Sequence, residues 1–400
     1  MPTWFQYDEL PGGQASSTTG RHALHRRRHR QAATWSIALA AVILVFLFLA
    51  FRRHPEWHDP VGTAFDAILH DSSSAVITMD SAHGGDTLPQ IDWGWGDSGW
   101  FTKSPKMGSA AWLKRYPDFQ HGPPPRQTWL NRYNAANVRG LIPDLAQADL
   151  VGGLANYPES LAIDDKLCSY RRAGCVASSD ISRAPAARWA INFDDGPLPP
   201  SEQLYEALDA WNEKATHFWV GNNVKNNLDM AQRAAQRGDH LAVHTWSHPH
   251  LTTYSNEQIV GELGWTIQII YDVSSHIPRY YRPPYGDVDN RVRAIATHVF
   301  NITAVMWNYD SFDWSLNQTW ASGDFVDPPY DWLTTEMSTQ RLIDRMAEND
   351  PVNGEGVISL EHELSYESVR AFTESYPQIE KGKWKSGPVP DLIQLPWYQN

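Results

Sequence analysis

Residues 188–197 read RWAINFDDGP, a short apolar run that ends in two adjacent carboxylates and a Gly-Pro step. The run from Trp189 to Phe193 has the length of a buried strand, and Gly196 and Pro197 then turn the chain sharply. The same design recurs downstream. A helix is expected near Ser201 to Asn212, then a strand from His217 to Val220 and a helix from Asp229 to Arg237. Leu241 to Val243 is the next strand, followed by a helix from Asn256 to Ser274. Later strand runs are Tyr280 to Arg282, Ile302 to Trp307 and Val357 to Leu360. Alternating strand and helix imply a parallel sheet with both faces covered. The number of runs within about 200 residues predicts an α/β fold, a distorted (β/α) barrel.

In such a barrel the C-terminal strand ends converge on one mouth, where reactive residues collect. The first run ends in Asp194-Asp195. Adjacent carboxylates repel, so a buried pair needs a cation or a proton. One can ligate a metal while its neighbour acts as general base. The third run ends in His244-Thr245-Trp246-Ser247-His248, and this H-x3-H spacing would set both imidazoles on one face of a helical turn. Two His and one Asp make a three-ligand site whose fourth position stays open. His250 has the wrong spacing to join them and is read as structural. The other ends are Arg282-Pro283-Pro284-Tyr285-Gly286, Asp310-Ser311-Phe312-Asp313-Trp314 and Leu360-Glu361-His362. Each has an ordinary explanation by itself, as a surface charge, a helix cap or a solvated His. Their joint placement at successive strand ends is what those explanations leave unexplained.

Taken in order, the segments FDDGP, HTWSH, RPPYG, DSFDW and ISLEH resemble the five motifs of the polysaccharide deacetylases, carbohydrate esterase family four. The stretch RPPYGDVDNRVRAIA is most similar to the fungal chitin deacetylases. The resemblance implies a metal held by Asp195, His244 and His248, zinc in the first place with cobalt as the alternative. It implies Asp194 as general base, paired with Arg282, and His362 as general acid, oriented by Asp310. The Tyr285 backbone N–H would stabilise the oxyanion, and Trp314 and Leu360 would wall the acetyl methyl group. Arg282 beside Asp194 lowers an acid's pKa, whereas Asp310 beside His362 raises an imidazole's, so base and acid would hold opposite states near neutrality. The implied reaction is hydrolysis of N-acetyl groups from chitin or chitooligosaccharides. Rival readings are the same chemistry on another acetylated glycan, or an inactive wall-binding protein. Two positions depart from the family pattern: Glu363 stands where many relatives have Asp, and His217 where an aromatic is usual.

The N-terminal third reads differently. Residues 32–51, AATWSIALAAVILVFLFLAF, carry no charge and are long enough to cross a hydrocarbon core of about 30 Å. The arginines Arg21, Arg26, Arg27, Arg28 and Arg30 precede them, so the positive-inside rule leaves residues 1–31 in the cytosol. A single-pass type II anchor follows, with the catalytic part lumenal or extracellular, at the plasma membrane or cell wall. With the basic tail set apart, a net charge of −13 makes the remainder acidic and argues against nucleic acid as a partner. Cys168 and Cys175 are the only cysteines and suit one small disulfide loop in an oxidising compartment. Asn301 and Asn317 open glycosylation sequons, and Asn301 is expected at the start of a buried strand. The expected segments are a tail (1–31), an anchor (32–51), a lumenal stem or extension (52–185), the deacetylase domain (186–385) and a short tail (386–400). Residues 52–150 hold Trp93, Trp95, Trp100, Trp112 and Trp129 among many Gly and Pro. They read as a stem or as an extension packed on the domain, and their tryptophans could meet chitin.

Overall fold

The computed structural model describes residues 105–116, 122–158, 166–316, 333–348 and 354–400. A small antiparallel hairpin, β1 (Asp149–Val151) and β2 (Leu154–Asn156), comes first. Nine further strands follow: β3 (Arg188–Ala190), β4 (Asn192–Asp194), β5 (Thr216–Trp219), β6 (His240–Val243), β7 (Tyr280–Tyr281), β8 (Thr303–Ala304), β9 (Tyr309–Asp310), β10 (Val357–Leu360) and β11 (Lys385–Gly387). They form two parallel sheets, one ordered β4-β5-β6-β7-β8 and the other β11-β3-β10-β9. The α/β class with parallel strands is as expected, but the strands lie in two sheets rather than one closed ring.

The break falls inside the run that was read as a single strand. Ile191 separates β3 from β4, donating its N–H to Gly387 and accepting from Thr216, so the chain passes from one sheet to the other at that residue. The sheets meet again one step later. The Asp194 N–H donates to the Glu361 carbonyl at 2.9 Å, and the Asp194 carbonyl accepts from the Glu363 N–H at 3.1 Å. This parallel bridge sets the end of β4 beside the end of β10. It places the DDGP turn and the EHE segment side by side.

The helix Asn256–Ser274 opens with a capping box, in which Ser255 and Gln258 bond each other's backbone N–H. It is buried along most of its length because it is covered on both sides. The second covering layer comes from the N-terminal extension. A Cβ on Gly261 would lie 1.7 Å from the Pro123 carbonyl oxygen, and one on Gly264 would lie 2.4 Å from the Trp129 ring. Two glycines thus make the groove that receives Pro123 and the helix Gln127–Val138. Trp112 Nε1 and the Tyr116 hydroxyl both donate to Asp272 Oδ2, at 2.9 and 2.7 Å, and Trp265 Nε1 donates to the Pro124 carbonyl. Of the two readings of the extension, its described residues follow the packed one. Trp112 and Trp129 are 1% and 4% exposed, so neither can meet a chitin surface. Trp93, Trp95, Trp100 and the apolar run 32–51 lie outside the described residues. Among the described residues, no helix is long and apolar enough to cross a membrane.

Cys168 and Cys175 are disulfide-bonded, and Arg293 donates to both of their carbonyls while pairing with Asp180. Asn301 does not begin a buried strand. It is exposed and caps the helix Asn290–Phe300 in the left-handed region (φ 54°), which asparagine tolerates because its side chain can bond locally. Asn317 lies outside the described residues.

The packing makes a quantitative expectation. Trp129→Ala should lower stability by about 3–5 kcal/mol, the usual cost of deleting a large buried aromatic, measured by urea unfolding. A loss below about 1 kcal/mol would mean that the extension is not part of the core.

Candidate metal and acid–base site

The Asp195, His244 and His248 side chains converge at the mouth, with one ligand atom of each lying within 4.8 Å of the others. Asp195 Oδ1 stands 3.4 Å from His244 Nε2 and 3.1 Å from His248 Nε2. The two histidines do not sit on a helical turn, as their spacing suggested. Thr245 (φ 67°) and His248 (φ 58°) are both left-handed, and they fold the segment back on itself. Non-glycine residues held there carry strain that the surroundings must offset. Glu262 supplies much of the support. Its Oε2 accepts the N–H groups of Trp246 and Ser247 at 2.8 and 2.9 Å, and its Oε1 accepts the Ser247 hydroxyl and the Gly122 N–H. One buried carboxylate therefore ties the histidine loop to the long helix and to the extension. Burial pushes the Glu262 carboxyl up, against the pull of these donors. Trp246 is fully buried, packs where a Cβ on Gly221 would stand, and stacks on Tyr116 of the extension at 5.7 Å.

Arg282 joins the remaining parts. It is fully buried, its Nη1 donates to Asp194 Oδ1 at 2.7 Å, and its Nε donates to the Val305 carbonyl at 3.1 Å. Its guanidinium lies 4.2 Å above the Phe218 ring, a cation–π contact. Burial pulls its pKa down, and Asp194 opposes that pull. The Arg282 carbonyl accepts from His244 Nδ1 at 2.7 Å. That bond sets the tautomer, so Nε2 keeps its lone pair for the shared centre.

His362 is oriented by Asp313, not by Asp310. Asp313 Oδ1 accepts from His362 Nδ1 and Oδ2 accepts from the His362 backbone N–H, both at 2.7 Å. Asp310 ends β9 with its carboxylate turned to the Phe312 N–H, also at 2.7 Å. The left-handed Phe312 (φ 60°) then reverses the chain and delivers Asp313 to the imidazole. The i, i+3 pair of aspartates could not be told apart by position in the motif, because the deciding feature is that reversal. Burial alone would lower the His362 pKa, but Asp313, Asp195 and Asp194 together raise it to about 10. Burial lifts the Asp310 carboxyl to about 6. Glu361, unremarked in the sequence, is buried and lifted to about 8 by burial and by Asp313, while Ser359 hydrogen-bonds it.

The remaining expected residues are at the rim. Tyr285 is left-handed (φ 59°) in the turn Pro284–Gly286, and its ring packs on His248 at 4.6 Å and His250 at 4.1 Å. Leu360 is buried at the end of β10, and Trp314 is half-buried beside Phe312.

The two departures from the family pattern are partners. His217 Nδ1 bonds Glu363 Oε1 at 2.9 Å, and Trp219 Nε1 donates to the same oxygen. His217 Nε2 faces Asp239 at 3.7 Å, and Asp239 pairs with Arg237. A chain of alternating charge thus runs beneath the site. Burial disfavours charge on His217, yet Glu363 and Asp239 raise its pKa to about 10. The longer Glu also fills the space beside the DDGP turn, where a Cβ on Gly196 would stand 1.9 Å from Glu363 Oε1.

The donor set fits a divalent cation. Asp195 Oδ1 is buried without a hydrogen-bond partner, beside two imidazole nitrogens of which one has its tautomer set for ligation. Burial opposes the charge of Asp195, but His248 and His244 hold its carboxyl well below the ordinary range. Two His and a carboxylate with room for further ligands are the donors of a catalytic zinc-type site.

Residues 182–300 match the polysaccharide deacetylase family. The chain carries a polysaccharide deacetylase domain. Chitin deacetylases of fungi are among the similar proteins. Chitin deacetylase 3 of Cryptococcus neoformans var. neoformans serotype D is 38% identical over 281 residues, covering 68% of this chain and 64% of that protein. Chitin deacetylase 1 of Cryptococcus neoformans var. grubii serotype A is 36% identical over 222 residues, covering 53% of this chain and 44% of that protein. Chitin deacetylase 1 of Saccharomyces cerevisiae is 34% identical over 201 residues, covering 48% and 64%. The chain therefore spans less than two thirds of the length of each. The family match ends before Asp313 and His362, and the tertiary structure brings both beside the Asp195–His244–His248 triad.

Two outcomes are expected here. Asp313→Asn should lower the His362 titration midpoint by about 1–3 pH units, the usual effect of one adjacent charge, read by histidine NMR. The sign follows from the raised pKa. Stability contributed by protonated His362 is fully present below about 6.5 and is lost as pH rises through about 10. The penalty of Asp313→Asn should therefore shrink at alkaline pH, whereas Asp310→Asn should show no such trend. For the buried pair, His217→Phe leaves Glu363 uncompensated and should cost about 3–5 kcal/mol. Once Glu363→Met is present it should cost less, with a coupling of about 0.5–3 kcal/mol in a double-mutant cycle. Additive losses would disprove the pairing.

Proposed function

We propose that the domain hydrolyses N-acetyl groups of N-acetylglucosamine units in chitin or chitooligosaccharides, releasing acetate and leaving free amines. One arrangement carries this reading. A buried acid–base couple, Asp194 with Arg282 and His362 with Asp313, flanks a single Asp-His-His triad. Asp195, His244 and His248 would hold a divalent cation, zinc by the donor set with cobalt as the alternative. When bound, such a cation polarises an acyl oxygen and lowers the pKa of water.

The chain's own groups account for the proton movements. Asp194, ion-paired with Arg282, takes the proton of the attacking water as a new bond forms between the water oxygen and the acyl carbon. His362, kept protonated by Asp313, gives a proton to the amide nitrogen as the C–N bond breaks, so the nitrogen leaves as a neutral amine and the acyl group as acetic acid, which ionises to acetate. Each of these assists is worth about 10²–10⁴-fold. The Tyr285 backbone N–H is the proposed oxyanion donor, a role worth about 2.7–4 kcal/mol. Trp314 and Leu360 would bound the acetyl methyl group. Acceptance of another acetylated glycan changes none of these roles. A binding-only role is disfavoured because no member of the triad or of the acid–base couple is missing.

For the whole chain we propose the type II arrangement read from the sequence, with residues 32–51 as anchor and the domain outside the cytosol. The Cys168–Cys175 disulfide suits an oxidising compartment, and the exposed Asn301 is an accessible acceptor for glycosylation.

The test is acetate release from N-acetylglucosamine oligomers by the purified, zinc-loaded protein. Asp194→Asn and His248→Ala should each lower it by at least about 10²-fold. A chelator should abolish release, and zinc should restore it. A folded, zinc-loaded protein that releases none would reject chitin as substrate and direct the assay to other acetylated glycans.

A further inference from the structure

Resting on the proposed deacetylase reading, we infer that the tip of the β1–β2 hairpin is a substrate-binding ledge that contacts sugar units next to the one being deacetylated. The hairpin belongs to the extension, upstream of the matched family segment. Its position at the mouth is set by several contacts. The Ala148 N–H donates to the Thr252 carbonyl at 3.0 Å, just after the histidine loop, and the Tyr157 hydroxyl donates to buried Asp289 at 2.6 Å. At the tip, the Gly153 backbone lies beside the His250 ring. His250 stacks on Tyr285, and Tyr285 packs on the metal-ligand candidate His248. Stacked rings therefore lead from the triad outward to His250, and the hairpin, held by its bonds to Thr252 and Asp289, brings its tip beside that ring.

The surface along that line is apolar where a monomeric protein would be expected to be polar. Val151 is 57% exposed and Tyr285 48%, while Leu150, 60% exposed, faces the other side of the hairpin. Val151 pairs with Leu154 directly before and after Gly152-Gly153, so the tip offers an exposed Val151 backed by the half-buried Leu154. Two glycines in the left-handed region, at φ 58° and 80°, let the turn come this close. Below the tip, Arg171 donates to the Tyr285 carbonyl and so holds the tyrosine turn from the extension side. An aliphatic ledge leading to a half-exposed aromatic suits the apolar faces of a neutral, N-acetylated sugar chain. The occupant is identified by this continuity: a chain whose acetyl group lies at the triad has its neighbouring units at the rim. The His250 ring, structural rather than ligating, is then the joint between ledge and site.

The test compares Val151→Asp with Val138→Asp, a control at the 89% exposed end of the helix Gln127–Val138. Both positions are exposed, so both variants should fold, as circular dichroism would verify. Acetate release is measured on N-acetylglucosamine oligomers from dimer to hexamer. For Val151→Asp, KM should rise with chain length, reaching about tenfold on the hexamer, the factor that about 1.4 kcal/mol represents. Val138→Asp should match the parent at every length. Equal losses on dimer and hexamer, or no change on either, would overturn the ledge while leaving the deacetylase reading intact. A parent that releases no acetate at any length would instead reject that reading and this inference together.

Discussion

Asp194 exchanges backbone hydrogen bonds with Glu361 and Glu363 while its carboxylate receives a fully buried guanidinium from Arg282. The rest of the site depends on this one knot. The backbone bonds join the two sheets and set the strand that carries His362 beside the strand that carries Asp194 and Asp195. The ion pair reaches across to β7 and, through Arg282, to the carbonyls of Val305 and Met306 beyond β8. The Arg282 carbonyl in turn decides which nitrogen of His244 is free. A buried ion pair is weak evidence for stability, because desolvation offsets much of its Coulomb attraction. Its value here lies in geometry: Asp194, His362 and the Asp195–His244–His248 triad are referred to one rigid centre, which the proposed catalysis by positioned groups would need.

A second carboxylate does for the histidine loop what Asp194 does for the strand ends. Glu262, on the long helix, accepts four donors from two other pieces of chain, the histidine loop and the extension. Left-handed Thr245 and His248 would be costly alone. They persist because Glu262, buried Trp246 and the stacked Tyr116 over-determine the loop. The extension is thus part of the site's support. It fills the Gly261 and Gly264 groove, buttresses the histidines and reaches the rim through the hairpin. This explains why Trp112, Tyr116, Trp129 and Tyr133, among its described residues, are buried: they are core of the same domain.

Much of the site was legible because its residue types are chemically demanding. Asp-Asp, H-x3-H and a buried-strand Arg at successive strand ends have few other joint explanations. What was not legible shares one physical cause. The choice of Asp313 over Asp310 turns on a single left-handed residue, Phe312, and the approach of the two histidines turns on Thr245 and His248. Backbone reversals at non-glycine residues leave no compositional trace. The His217–Glu363 pair was visible only as two separate departures, 146 residues apart in sequence. Nothing in a linear chain says that one departure compensates the other, since a buried charge is satisfied by proximity and not by spacing.

By itself, then, the sequence pointed to the α/β class, the strand ends where reactive residues collect, and the triad, while the Asp194–Arg282 pairing came only from the family resemblance. These rest on local patterns, in which apolar period and reactive end residues are contiguous. Only the tertiary structure decided that one apolar run serves two sheets, that the extension is core rather than stalk, which aspartate holds His362, and how the two unusual residues meet. Each of those depends on contacts between distant segments, where hydrogen-bond satisfaction and close packing choose among arrangements that local pattern leaves equal.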